Sequence, residues 1–383
     1  MNKKIMMIPF VLTLFNCSGI PVWNPGNQKG NLLLDGVDPK TGGHCESSAL
    51  YNALHYLGYP FEEQHIVGGG AAIGFMYQRG DFPFLGARND RMREIFFESA
   101  GIDYQVHSDE TPEQSWVGVY KALERGLPVV LRVDMRYLPY LYGGKYGPSY
   151  MHFGWHMITL FGVDFSKELA YVTDTAQKGL QTIRIQDLDR ARSSTTKIFP
   201  PRREYCVIEK MPTDYKPDWG LITKNSLTNI ILNYEWKPAE GVEYAGLGGL
   251  EGLKDFEGEI RDMDRSIKNS YMLPVIFDYL HGCIETNGTG GAAFRIFIRD
   301  FIRDMAKKTE YAVLNEVLPS LENSIDAWKV LAQAFRQAGI EIKKVKDSTS
   351  HQDVYDSLAE KAKQLYMREA EVYIKLKTAL SAL

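Results

Sequence analysis

The sequence predicts an α+β domain followed by an all-helical one, and three observations carry that prediction. After Cys45, the apolar residues Leu50, Ala53, Leu54 and Leu57 recur at helical spacing, and Gly58 with Pro60 supplies a stop. Strand-like runs then dominate: VVLRVD (129–134), HMITLFGVD (156–164), LAYVTDT (169–175), LQTIRI (180–185) and YCVIEK (205–210). Their links look too short for crossover helices, so an antiparallel meander is expected. Beyond MPTDYKPDWGL (211–221) the strand signal disappears. AVLNEVLPSLENSIDAWKVLAQAF and the stretch from Asp353 to Leu383 repeat apolar residues three and four apart, the mark of packed amphipathic helices. The expected division is an amino-terminal segment 1–30, a domain 31–210 and a helical domain 222–383.

Taken in order, MNKKIMMIPFVLTLFNC places two lysines before an apolar run, Ile5 to Phe15, of signal-peptide length and too short to span a bilayer. As a signal peptide it would send the protein to the bacterial cell envelope, exported or lipid-anchored on Cys17, although Asn16 replaces the small residue usual there. As an ordinary strand it leaves the protein in the cytoplasm. The glycines of VGGGAAIGFMY lack the G-K-[ST] of a phosphate loop and read as close backbone packing. Asn89 to Ala100 is helical in pattern and ends at Gly101; Ile102, Tyr104 and Val106 alternate as a strand. Thr111-Pro112-Glu113-Gln114 has the cap, the first-position proline and the capping-box partner of a helix that ends near Gly126.

The bulk properties exclude several functions. With 383 residues, 44% apolar and 24% charged, the chain can bury a full core, and 44 basic against 48 acidic residues leave −4, no basis for a nucleic-acid partner. Four cysteines without a C-x-x-C pair argue against a disulfide framework. Eight histidines with no ligand-like cluster beyond His152 and His156 argue against a metal, and no cofactor is expected.

Cys45 opens a helix, where unpaired backbone N–H groups favour a thiolate and can also donate to an oxyanion. His156 opens the strand MITLFGV and Asp174 ends the next one, so a hairpin can join base and orienting carboxylate. The order Cys, His, Asp is that of papain-like enzymes. Asp134 and Asp164 rival Asp174, Asp164 reading more readily as a turn residue. His44 and Glu46 flank the cysteine as caps or oxyanion donors, and His152 reads as a supporting donor rather than a metal ligand. Glu285, Thr289, Gly290, Gly291 and Arg295 form either an anion-binding helix start or a plain glycine turn.

GGHCESSALYNALHYLGYPFEEQHIVGGGAAIGFMY, FPFLGARND, GLPVVLRVDMRYLPYL, MHFGWHMITLFGVD and GLQTIRIQDLDRARSS, in that order, resemble the amino-terminal domain of the butirosin biosynthesis protein H family, from about Asn31 to Lys210. The remainder, with IETNGTGGAAFRIFIRDF, resembles the domain of unknown function that follows it. The resemblance implies a papain-like fold, a nucleophile helix packed on an antiparallel sheet, and acyl transfer in secondary metabolite biosynthesis. The family's namesake moves an aminoacyl group from a carrier-protein thioester to an amine. On that likeness the nucleophile falls on Cys45 of GGHCESS, the base on His156 of HFGWH and the acid on Asp174 of VTDTA. The implied partners are an acyl carrier protein or other thioester donor and a small-molecule amine. Trp155 stands where the family usually has glycine, and DGVDPKTGG offers no glutamine to serve as oxyanion donor. An amidase or peptidase using the same residues, and a binding module that keeps only the scaffold, are the alternatives.

Overall fold

The computed structural model describes residues 31–149, 151–197, 199–238, 246–267, 270–344 and 351–383. The signal-peptide expectation for residues 1–30, Cys17 included, lies outside them.

The first half comprises β1 (Asn31–Leu33), α1 (Cys45–Tyr56), α2 (Glu63–Gly69), β2 (Met76–Gln78), β3 (Phe84–Gly86), α3 (Met92–Ala100), β4 (Tyr104–His107), α4 (Pro112–Glu124), β5 (Val129–Val133), β6 (His156–Asp164), β7 (Leu169–Thr173), β8 (Gln181–Arg184), α5 (Ile185–Arg192) and β9 (Tyr205–Ile208). The main sheet has the order β4-β9-β5-β6-β7-β8, with β1 on β6, and every pair is antiparallel. An α+β class with an antiparallel sheet is therefore what the sequence specifies. The simple meander is corrected: β9 does not follow β8 at the edge but inserts between β4 and β5. The link from β8 contains α5, and all four β9 residues are buried, which requires a neighbour on each side.

The second half comprises α6 (Trp219–Glu235), β10 (Leu247–Gly248), α7 (Gly249–Arg261), α8 (Met263–Ser266), α9 (Leu273–Glu285), α10 (Arg295–Lys308), α11 (Leu318–Lys344) and α12 (Gln352–Ser381). The strand signal does not quite end at 221, because β10 pairs with β2 in a small sheet that also holds β3.

Two cores follow from the sheet's two faces. Val129, Leu131, Val133, Ile158 and Leu160 pack with Leu123 of α4 and Leu188 of α5. On the other face α1 lies along β6, tied by Thr159 Oγ1 donating to the Ala49 carbonyl at 2.7 Å. That core continues unbroken from Leu50, Ile66 and Phe96 into Ile222, Phe277 and Phe301 of the second half. The glycine-rich stretch packs as closely as expected, since a Cβ on Gly68 would stand 2.1 Å from Phe301. The helical half is thus built onto α2 and α3, with α10 against α2 and α6 against both.

Candidate active site

Cys45 is half-buried at the first position of α1, where its backbone N–H has no acceptor within the helix. His44 is the N-cap: its backbone is extended (φ −138°, ψ 138°) and its Nδ1 accepts the Ser47 N–H at 3.3 Å. Burial first, then the charges of Arg88 and His156, holds the His44 imidazole well below its usual pKa, so it is neutral with its proton on Nε2. The turn before it is clamped from both sides. Gly42 N–H donates to the Thr175 carbonyl at 2.8 Å, and the Glu63 carboxylate accepts Gly43 N–H at 2.9 Å, His44 N–H at 3.1 Å and Ser47 Oγ at 2.7 Å. Burial nevertheless raises the Glu63 carboxyl above its ordinary range.

His156 begins β6 opposite Val133 of β5, and Asp174 directly follows β7, whose last residue Thr173 pairs with Thr159. The register therefore sets the two side chains together at one end of the sheet. His156 Nε2–H donates to Asp174 Oδ1 at 2.9 Å and lies 3.0 Å from Oδ2, which leaves Nδ1 to meet the Cys45 thiol, its other hydrogen-bond partner. Asp174 also accepts Tyr140 OH at 2.9 Å and Thr175 N–H at 2.7 Å. Burial alone would lower the imidazole pKa, but the Asp174 charge and the bonds to Asp174 and Cys45 outweigh it and raise the value to about 10. Burial likewise opposes ionisation of Asp174, and the facing imidazole overrides it and holds the carboxyl low. This end of the sheet is a buried imidazole–carboxylate pair in contact with the Cys45 sulfur.

The other sequence candidates sort clearly. Asp134 directly follows β5, the strand beside that of His156, but it does not orient the imidazole. Its oxygens accept Ser194 Oγ at 2.6 Å and the N–H groups of Arg136 and Phe153 at 3.2 Å each, and bond His152 Nδ1 at 2.6 Å. A carboxylate so saturated has no lone pair left for another partner. His152, bonded through Nε2 to Arg136 at 3.0 Å, pins the loop that leads to His156. Asp164 caps a turn through the N–H groups of Ser166 and Lys167. Glu46 turns to Arg88 at 2.9 Å. The anion-binding reading of the Glu285–Arg295 segment is corrected: Arg295 is fully buried against Glu369 at 2.9 Å, and Thr289 Oγ1 donates to the Ile284 carbonyl. A guanidinium inside a core needs its own carboxylate and has none of its charge to offer a ligand.

Beside the cluster lies a cavity of about 230 Å³ whose lining includes Glu46, Arg88, Arg132 and Trp155. Trp155, immediately before His156, stacks beneath Arg132 (5.2 Å to the ring centroid) and against Phe199. The bulky residue in place of glycine therefore forms part of the wall of this cavity, which Glu46 and Met157, the chain neighbours of Cys45 and His156, also line. Sequence reading missed Glu63 and Tyr140. Neither carries a motif: Glu63 sits in a run of two glutamates, and Tyr140 is one of four tyrosines between Tyr137 and Tyr146.

The fold and site define an α+β chain with a Cys–His–Asp cluster where its first helix meets its sheet. The family model described as butirosin biosynthesis protein H, N-terminal, matches residues 44–175, and the one described as domain of unknown function (DUF4872) matches residues 186–376. The chain belongs to the butirosin biosynthesis protein H family in this two-part arrangement. Among curated proteins none matches it.

Proposed function

We propose that the protein is a papain-like cysteine acyltransferase that takes an acyl or aminoacyl group from a thioester and passes it to an amine. The observation that carries this reading is His156 bridging Asp174 and the Cys45 thiol. In the first step the Cys45 sulfur, its proton held by His156, attacks the thioester carbonyl. The carbonyl oxygen takes up the electron pair, with the Cys45 N–H and the neutral His44 Nε2–H as candidate donors. Collapse expels the donor thiolate, which takes the proton from His156 and leaves an acyl-enzyme. In the second step the amine attacks that acyl carbon, His156 accepts the amine proton, and the Cys45 thiolate leaves as the amide forms. Asp174 keeps the imidazole in one orientation throughout and stabilises its charged form. Residues 31–210 would form the papain-like unit and 222–383 the helical one. The donor would be an acyl carrier protein or another thioester, and the acceptor a small molecule.

Intact-mass measurement of the protein after incubation with N-acetylcysteamine acyl thioesters tests the proposal. An adduct on Cys45 that moves to an added amine is expected. Release to water alone would make the protein an amidase or peptidase, and no adduct on the native chain would leave only a binding module.

A further inference from the structure

The helical half touches both residues that precede Cys45. Phe294 meets the His44 ring edge-on, with centroids 5.1 Å apart and planes at 74°. A Cβ on Gly43 would stand 2.9 Å from the Phe297 ring and 3.2 Å from the Gly290 Cα. A second route runs through α2, where Phe301 of α10 fills the space over Gly68 of the helix that carries Glu63. The contacting segment is strained. Gly290, Gly291, Ala292, Ala293 and Phe294 have φ of 65°, 87°, 45°, 51° and 71°, so three consecutive residues with a Cβ sit in the left-handed region. Each brings its Cβ close to the following carbonyl oxygen, and such a run persists only where its surroundings enforce it.

The enforcing group is Arg295. Its guanidinium donates to the Ala293 carbonyl at 2.7 Å, within the strained turn, and crosses to the first half to donate to the carbonyls of Gly74 at 3.0 Å and Ala87 at 3.4 Å. It lies over the Trp328 ring at 4.7 Å and is held by Glu369, which also accepts Tyr234 OH at 2.6 Å, Trp328 Nε1–H at 2.8 Å and Ser324 Oγ. Arg295 and Glu369 are both fully buried. Ala87 precedes Arg88, the partner of Glu46.

We infer that the helical half positions the nucleophile: Arg295 and Glu369 are positioning residues that lock the left-handed turn, whose Phe294 fixes His44 and so the first turn of the Cys45 helix. The inference rests on the reading of Cys45 as the nucleophile and gives the second family domain a task at the same site.

The test is the rate of Cys45 alkylation by iodoacetamide in the full-length chain, followed by peptide mass spectrometry from about pH 5.5 to 9. The double variant Arg295→Met with Glu369→Met removes the bonds to the turn without leaving a charge unpaired in the core, a replacement that is often tolerated. Phe294→Leu keeps apolar bulk and removes the ring edge, and carries the test by itself should the double variant fail to fold. Phe335→Leu, in the core away from His44, is the control for lost stability alone. The expected result is a drop of about tenfold or more in alkylation near pH 6 and an altered pH profile in the first two variants, corresponding to about 1.4 kcal/mol. Phe335→Leu should keep the native profile. Folded variants with native profiles would overturn the inference while leaving the nucleophile standing. An unreactive Cys45 in the native protein would instead remove the nucleophile reading itself.

Discussion

Replacing Asp174 by Asn keeps the shape of the site and removes the charge that His156 faces. Breaking a buried ion pair by removing one partner costs about 3–5 kcal/mol. At about 1.36 kcal/mol per pKa unit, that is a fall of about 2–4 units. It would bring His156 from about 10 to roughly 6–8. In the native protein the imidazole is charged through neutral pH and keeps the sulfur paired with a cation. In Asp174→Asn it becomes neutral within the working range, and Asn can present its N–H₂ to the ring in place of an acceptor, so the proton no longer stays on Nε2. The comparable acid-to-amide change in a Ser–His–Asp triad costs about 10⁴ in kcat. Alkylation of Cys45 by iodoacetamide, measured against pH with denatured protein as the reference, is the assay. The native rate should exceed that of Asp174→Asn throughout neutral pH. The Asp174→Asn rate should be at least about tenfold lower near pH 6 and rise steeply toward alkaline pH. Identical profiles would mean that Asp174 does not govern His156, and the proposed chemistry would fall with that link.

The same pair makes stability depend on pH. His156 has a folded pKa raised to about 10, above its unfolded value of about 6.5. Its contribution is therefore complete below about pH 6.5 and is lost as pH rises toward 10. Asp174 is held low by the imidazole, so its contribution is present above about pH 4 and lost as pH falls. Urea melts at pH 6 and pH 9 should show the native protein losing more stability than Asp174→Asn over that interval. Glu63→Ala leaves the N–H groups of Gly43 and His44 and the Ser47 hydroxyl without their acceptor. Expected are a loss of about 1–3 kcal/mol in denaturant melts and a slower Cys45 reaction, with Glu63→Gln recovering part of both. Asp134→Ala strands His152, Ser194 and two backbone N–H groups. Proteolysis should then begin in the 134–155 loop, at an opening cost lowered by about 3 kcal/mol. Trp155→Gly removes one wall of the cavity beside Glu46 and the ring under Arg132. Competition between short and long acyl thioesters should shift toward the longer, while iodoacetamide, too small to need the wall, reacts at the native rate.

By itself the sequence determined what local physics can encode. Cys45 at a helix start follows from the glycine turn before it and the apolar spacing after it. Thr111 to Gln114 forms the expected capping box, and β6 spans the same nine residues that its apolar run marks. Those features depend on neighbours within a few positions. The place of β9 between β4 and β5 does not, because any buried strand satisfies the same pattern and only sheet closure decides its neighbours. The chain favours Asp174 and leaves Asp134 as its rival; the pleat and register turned the first toward His156 and surrounded the second with four donors. Glu63 and Tyr140 were invisible for the same reason, and Arg295 stood out only as part of an anion-binding candidate. Each works through partners such as Gly43, Asp174 or Glu369, and proximity between such distant positions arises only when the chain folds back on itself.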